Sequence, residues 1–327
     1  MSHKLNMRTL LVTGGCGFIG SNFIRYILKK YKNRKIVNID KLTYCGCRGN
    51  LTDIEKDRRY TFVKGDICDK KIIDKIAKGC DAIVNFAAES HVDRSIKDAS
   101  SFVRTNVHGV HVLLEAAKKY KIKRMIQIST DECYGSIQRG SFKETTLLHP
   151  NSPYAASKAA GDHLALAYHT TFKVPAIVTR SSNNFGPYQF PEKVIPLFIT
   201  NLLENKKVPL YGDGMNVRDW LYVIDNCRAI DLVLRKGKPG EIYNIGGSYE
   251  IPNIKLTRVI LKHLNKTYDM IKYVPDRLGH DRRYSLDSNK VKRLGWKTLK
   301  NFDKAIEETI EWYKNNKPWW KRLKNKC

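Results

Sequence analysis

Short runs of β-branched and other apolar residues alternate with amphipathic stretches through the first half of this chain, and that rhythm leaves few architectures open. Strands are expected at Thr9–Thr13, Lys35–Ile39, Tyr60–Lys64, Ala82–Phe86, Met125–Ser129 and Ala176–Arg180. Helices are expected at Phe18–Lys30, Lys70–Ala77, Ser100–Tyr120 and Pro153–Phe172. Strand–helix–strand repeats build a parallel sheet, because a parallel neighbour is reached only through a crossover long enough to hold a helix. Each run is apolar nearly throughout, as strands covered on both faces require.

From about Pro187 the texture becomes irregular. A helix at Glu192–Leu203 precedes a short strand, Pro209–Tyr211, and the turn Gly212-Asp213-Gly214. A helix at Asp225–Arg235, a strand at Ile242–Ile245 and a helix at Asp303–Asn315 follow. The expected fold class is α/β: a Rossmann-type doubly wound parallel sheet with a smaller C-terminal α/β lobe laid over the strand ends, where ligands bind in such folds. The division expected is 1–186 for the sheet domain carrying the chemistry and 187–327 mainly for the second lobe, with some crossing between them. Pro318-Trp319-Trp320 is expected to pack and anchor the C-terminus.

A hydrophobic content of 42% marks a globular chain, and no apolar run nears the ~20 residues that cross a bilayer, so no membrane partner is expected. The formal charge of +27 comes from lysines dispersed along helices. No nucleic-acid-binding signature accompanies them, so a solvated basic surface is expected rather than a nucleic-acid partner. The eight cysteines lack C-x-x-C pairs and histidines at zinc spacing, and Cys45-Gly-Cys47 alone is a weak metal signal. Free thiols, no metal and a reducing, cytoplasmic setting are expected.

Val12-Thr13-Gly14-Gly15-Cys16-Gly17-Phe18-Ile19-Gly20 puts glycines 14, 17 and 20 between a strand and a helix. Such a loop lets a pyrophosphate approach bare backbone at a helix N-terminus. Asp40 ends the second strand, where an acid accepts from an adenosine ribose and repels a 2′-phosphate, so NAD is expected over NADP, although Lys41 beside it weakens that preference. Asp66-Ile67 and Phe86-Ala87-Ala88 end the next two strands on the same sheet edge.

The chemistry is expected from Ser129-Thr130-Asp131-Glu132 and from Tyr154 and Lys158, which share one helix face at a spacing of four. A lysine beside a phenol lowers its pKa from ~10 towards neutrality and makes it a base for a sugar hydroxyl. Two adjacent carboxyls can divide acid and base duties if their pKa values differ.

These motifs, with Ala87-Ala88-Glu89-Ser90-His91, Asn183-Asn184-Phe185-Gly186-Pro187 and Arg218-Asp219-Trp220, resemble the extended short-chain dehydrogenase/reductase family over nearly the whole chain. The Asp131-Glu132 pair is similar to its nucleotide-sugar 4,6-dehydratases; the family's epimerases lack it. The resemblance implies that Tyr154, with Thr130 and Lys158, takes the C4 hydroxyl proton as NAD takes the C4 hydride. Glu132 then removes the C5 proton, Asp131 protonates the departing C6 hydroxyl, and hydride returns to C6, leaving a 4-keto-6-deoxy sugar. The resemblance also adds Leu42, Thr43, Ser90, Thr105 and Asn184 to the cofactor residues. It places Ser90, Thr130 and Asn183 at the sugar, and Lys193, with Val194, and Arg218 at the diphosphate. Pro209 and Tyr211 are implied at the base, with Asn253, Arg277 and His280 closing the pocket. A homodimer through Ser100–Tyr120 and Pro153–Phe172 is implied, and the substrate is a nucleotide sugar, dTDP-glucose or UDP-glucose. Leu278, Cys133 and Phe185 stand where the family has Pro, Val and Tyr.

Overall fold

The structure is a computed structural model that describes residues 6–276 and 278–324. Its first six strands are β1 (Thr9–Thr13), β2 (Lys35–Asp40), β3 (Tyr60–Lys64), β4 (Ala82–Asn85), β5 (Arg124–Thr130) and β6 (Ala176–Ser181). The short strands β7 (Asn183–Phe185), β8 (Val208–Tyr211) and β9 (Val217–Tyr222) follow, then β10 (Ile242–Ile245), β11 (Glu250–Pro252) and β12 (Ile271–Val274). Among the described residues, seven strands form one parallel sheet in the order β10-β6-β5-β4-β1-β2-β3. Strand order reverses between β1 and β4, which opens a crevice at their C-terminal ends.

Side-chain alternation explains why both faces are apolar. Leu10 and Val12 point to one face with Ile36, Val84 and Ile126, under the helices Phe18–Lys30 and Val223–Lys236. Leu11 points to the other with Ile39, Ile83 and Met125, under Lys70–Ala77, Val110–Lys119 and Pro153–Phe172. A third core joins Phe185, Phe198, Trp220, Ile260 and Ile306 around the small sheet β11-β9-β7. Trp320 is 1% exposed there, and its indole N–H donates to the Tyr313 carbonyl at 2.8 Å. Trp319 donates to Asn50 Oδ1 at 2.8 Å, tying the final helix, Lys317–Lys324, to the first lobe.

Several elements differ from expectation. The single helix expected over Ser100–Tyr120 is an α-turn (Ser100–Val103), a π-turn (Arg104–Gly109) and an α-helix (Val110–Lys119). Asn106 explains the widening: its side chain bonds the Glu89 backbone N–H and C=O and the Ser157 hydroxyl, so the backbone swells to keep those contacts. The helix expected from Glu192 begins at Val194, and β10 joins the large sheet beside β6. No helix among the described residues is long and apolar enough to cross a membrane.

Candidate active site

A cleft runs along the C-terminal ends of β1 to β6. It gathers Gly14, Gly17, Phe18, Ile19, Gly20, Asp40, Lys41, Thr43, Asp66, Ile67, Phe86, Ala87, Ala88, Ser90 and Thr105 with Thr130, Asp131, Glu132, Tyr154, Lys158, Asn183, Asn184 and Lys193. Leu42 does not line it. With φ +59° it turns back and packs against the core. Val194, Pro209, Tyr211, Arg218, Asn253 and His280 also lie off this cleft, and Arg277 falls outside the described residues.

The glycine turn is built for close approach. Gly14 holds φ +65°, and a Cβ there would sit 2.6 Å from the Ala87 backbone nitrogen. The helix Phe18–Lys30 that follows has no side-chain cap and no acid in its first turn, so its leading N–H groups remain available to an anion. Asp40 first braces this turn: its Oδ2 accepts from Cys16 N–H at 2.9 Å and its Oδ1 from Leu42 N–H at 2.8 Å, while burial raises its pKa. Lys41 pairs with Asp66 at 2.9 Å, which occupies the cation that would otherwise welcome a 2′-phosphate. Against the pull of partial burial, the Cys68 N–H and Lys41 keep the Asp66 pKa below its ordinary value. Bare backbone, a free helix start and a braced acid fit a dinucleotide such as NAD.

The acid pair sits on a 3-10 turn, Asp131–Tyr134, capped by Thr130, whose hydroxyl accepts from Glu132 N–H at 3.3 Å and donates to Asp131 Oδ1 at 3.2 Å. Asp131 is 2% exposed, and its Oδ2 has no protein partner. Burial raises its pKa well above its ordinary value, and the charges of Glu132 and Asp219 add to the effect against Arg218. Burial thus favours the protonated form of Asp131.

Ser152 caps the helix Pro153–Phe172, accepting from Ala155 N–H at 3.1 Å with Pro153 at its first position. That start brings Tyr154 and Lys158 to the cleft one turn apart. The expected lowering of the phenol is not met here. Burial pushes Tyr154 well above its ordinary pKa, Glu132 adds to this, and the Thr130 hydroxyl opposes it. Lys158 Nζ donates instead to the Ile128 carbonyl at 2.5 Å, and burial lowers its own pKa against Asp162.

Asn183 Oδ1 is buried without a protein partner. Asn184 is already engaged, donating to Ser182 O and accepting from Asn226 at 2.8 Å. Lys193 Nζ donates to the Ser90 carbonyl at 3.0 Å. Arg218 lies across Tyr284, 4.3 Å from the ring centroid, and donates to the Asp281 carbonyl at 2.9 Å. It is the second residue of β9, two before Trp220, which pairs with Asn183. Tyr211, Asn216, Asp276 and His280 cluster beyond it: His280 Nδ1 lies 2.7 Å from Asn216 Nδ2, and the Tyr211 and His280 rings meet edge-on at 6.2 Å. Glu89, Phe190 and Glu192 line the cleft without having been singled out. Glu192 accepts from Tyr44 at 2.9 Å, a contact spanning 148 residues that no local pattern announces.

A dinucleotide groove that runs into two adjacent acids and a Tyr–Lys helix defines the class as an extended short-chain dehydrogenase/reductase built for elimination. The sequence profile of the GDP-mannose 4,6 dehydratase family matches residues 11–309, and the chain belongs to that family. It is 52% identical over 321 residues to a dTDP-glucose 4,6-dehydratase of Streptomyces niveus, covering 97% of this chain and 96% of the relative. The structure of DesIV, a dTDP-glucose 4,6-dehydratase of Streptomyces venezuelae solved with NAD and TYD bound, superposes with TM-score 0.95 at 50% identity, covering 96% of this chain and 99% of that one. The dTDP-glucose 4,6-dehydratase of Bacillus anthracis, solved with NAD, gives TM-score 0.91 at 50% identity, covering 97% and 99%.

Proposed function

We propose that this chain is an NAD-dependent dehydratase that converts dTDP-glucose to dTDP-4-keto-6-deoxyglucose for deoxysugar synthesis of the rhamnose type. The observation that carries this reading is Asp131, a buried acid with one open oxygen, next to Glu132 on one turn. An oxidoreductase that only oxidises C4 and reduces it again needs neither group.

NAD, when bound, accepts a hydride from C4 and returns it to C6. Tyr154 removes the C4 hydroxyl proton, and its raised pKa means that it needs cationic help from Lys158. Thr130 orients both the phenol and Asp131. Once C4 is a ketone, the C5 proton is acidified and Glu132 removes it, and the protonated Glu132 gives a proton back to C5 as hydride arrives at C6. Asp131 gives its proton to the C6 oxygen, which leaves as water. Asn183 offers its unpartnered oxygen to a sugar hydroxyl, Ser90 borders the sugar, and Lys193 and Arg218 address the diphosphate. Pro209, Tyr211, Asn253 and His280 form the nucleotide end.

Residues 1–186 carry the cofactor and the chemistry in this reading, and 187–327 mainly the nucleotide sugar. A homodimer forms through the outer faces of Ser100–Lys119 and Pro153–Phe172, where Val103 and Phe172 are about half exposed. The enzyme works in the cytoplasm. Incubation with dTDP-glucose bearing deuterium at C4, alongside UDP-glucose, tests the proposal. The label should be recovered at C6 of a keto sugar made faster from the dTDP substrate; label lost to solvent refutes internal hydride return.

A further inference from the structure

Behind the Tyr154–Lys158 helix lies a buried charge cluster that the proposed chemistry does not use. Asp162, 0% exposed and one turn beyond Lys158, accepts through Oδ2 from Ser129 Oγ at 2.9 Å and from Arg180 Nε at 2.9 Å. Arg180 is 2% exposed and directly opposite Ser129 in the β5–β6 register. Its guanidinium lies 4.7 Å from the centroid of Tyr134, the residue that ends the acid-bearing turn. Tyr134 is fixed in turn by stacking on Phe142 and by donating to Asn244 at 2.9 Å. One carboxylate thus touches the strand residue before Thr130, reaches the turn of Asp131 and Glu132 through Arg180, and shares a helix with Lys158. Both Arg180 and Lys158 act on this carboxylate, and removing it leaves two buried cations without its charge.

We propose that Asp162 is a positioning residue, paired with Arg180, that holds the Thr130–Glu132 turn against the Tyr154–Lys158 helix and sets the charge balance behind them. The inference rests on the dehydratase reading above. Several titratable groups surround the pair. Lys158 and Tyr154 lie on its own helix, Asp131, Glu132, Cys133 and Tyr134 on the turn, and Asp219 faces Asp131 from β9. Burial lowers the Lys158 pKa and raises those of Asp162, Cys133 and Tyr134; the Asp162 charge opposes the first effect, and Arg180 opposes the other three. Removing an anion lowers the pKa of every neighbour, and removing a cation raises it. The two partners therefore predict opposite displacements of the pH–rate profile.

The test is the pH dependence of kcat for dTDP-glucose in the wild type, Asp162→Asn, Arg180→Met and the double variant, with thermal melting alongside. Wild-type turnover establishes the dehydratase reading separately; its absence would sink that reading, not this one. Asp162→Asn should move the kcat profile to lower pH and Arg180→Met to higher pH, each by about one pH unit or more. The double variant should return towards the wild-type position, with KM little changed throughout. Profile position does not depend on how much protein folds, so a poorly folded variant still reports. If Asp162→Asn yields no folded enzyme, the direction for Arg180→Met decides. Profiles that superimpose on the wild type after scaling, or single variants that move together, overturn the proposal.

Discussion

Replacing Asp131 by Asn keeps the shape of the side chain and removes its transferable proton. Asp131 accepts from Thr130 through Oδ1 and leaves Oδ2 open. An amide fits the same space and can hydrogen-bond the C6 hydroxyl without protonating it. Losing a general acid lowers rate by about 10²–10⁴-fold, equivalent to about 2.7–5.5 kcal/mol of barrier. The loss falls after C4 oxidation, so mixing Asp131→Asn with dTDP-glucose should build up reduced nicotinamide, read by its near-ultraviolet absorbance, while keto sugar forms slowly. Stability should move the other way. The native carboxyl has its pKa raised by burial, so the folded state binds more protons than the unfolded one. That difference costs stability as pH rises above the unfolded carboxylate range and costs nothing below it. Asp131→Asn should therefore melt higher than the wild type at pH 7, and the advantage should vanish in acid below pH ~4. A variant turning over within tenfold of wild type, or one melting lower at neutral pH, would refute the neutral-acid assignment.

Glu132→Gln should abolish incorporation of solvent deuterium at C5 while NAD binding persists; retained exchange removes Glu132 from the base role. Gly14→Ala places a Cβ 2.6 Å from Ala87 N at φ +65°. It should lose roughly 1–2 kcal/mol from the backbone conformation alone and weaken NAD binding by titration, whereas unchanged affinity would show that the turn does not approach the dinucleotide. Trp320→Ala removes a core side chain and should destabilise the protein by about 3–5 kcal/mol in denaturant unfolding. It should leave KM for the nucleotide sugar unaltered in whatever folds; a change in KM would give the tryptophan a ligand role.

Most of the large sheet was legible because its signals are local. Thr9–Thr13, Phe18–Lys30, Lys70–Ala77 and Pro153–Phe172 match their expected limits, since apolar periodicity, glycine, an Asp69 cap and a Ser-Pro start coincide there. Strand β9 was hidden: Arg218 and Asp219 are both buried, so the run reads as a charged loop until the backbone shows where those charges are satisfied. Helix Asn253–His263 follows a proline that resembles a turn, and only packing of Leu256 and Ile260 into the third core reveals it. The catalytic motifs announced themselves by residue type and spacing. Their electrostatics did not, because the elevated phenol of Tyr154 and the neutral Asp131 depend on burial, which no spacing encodes. Asp162 and Arg180 are ordinary residues in the sequence, and nothing near either announces their pairing.

Strand β10 has a consequence for biogenesis. It covers the outer edge of β6 only after the chain has passed through much of the second lobe. Until residues 242–245 have emerged, β6 holds the edge position that β10 takes in the finished sheet, and exposed edges recruit other chains. The large sheet is therefore complete only when a strand from late in the chain arrives.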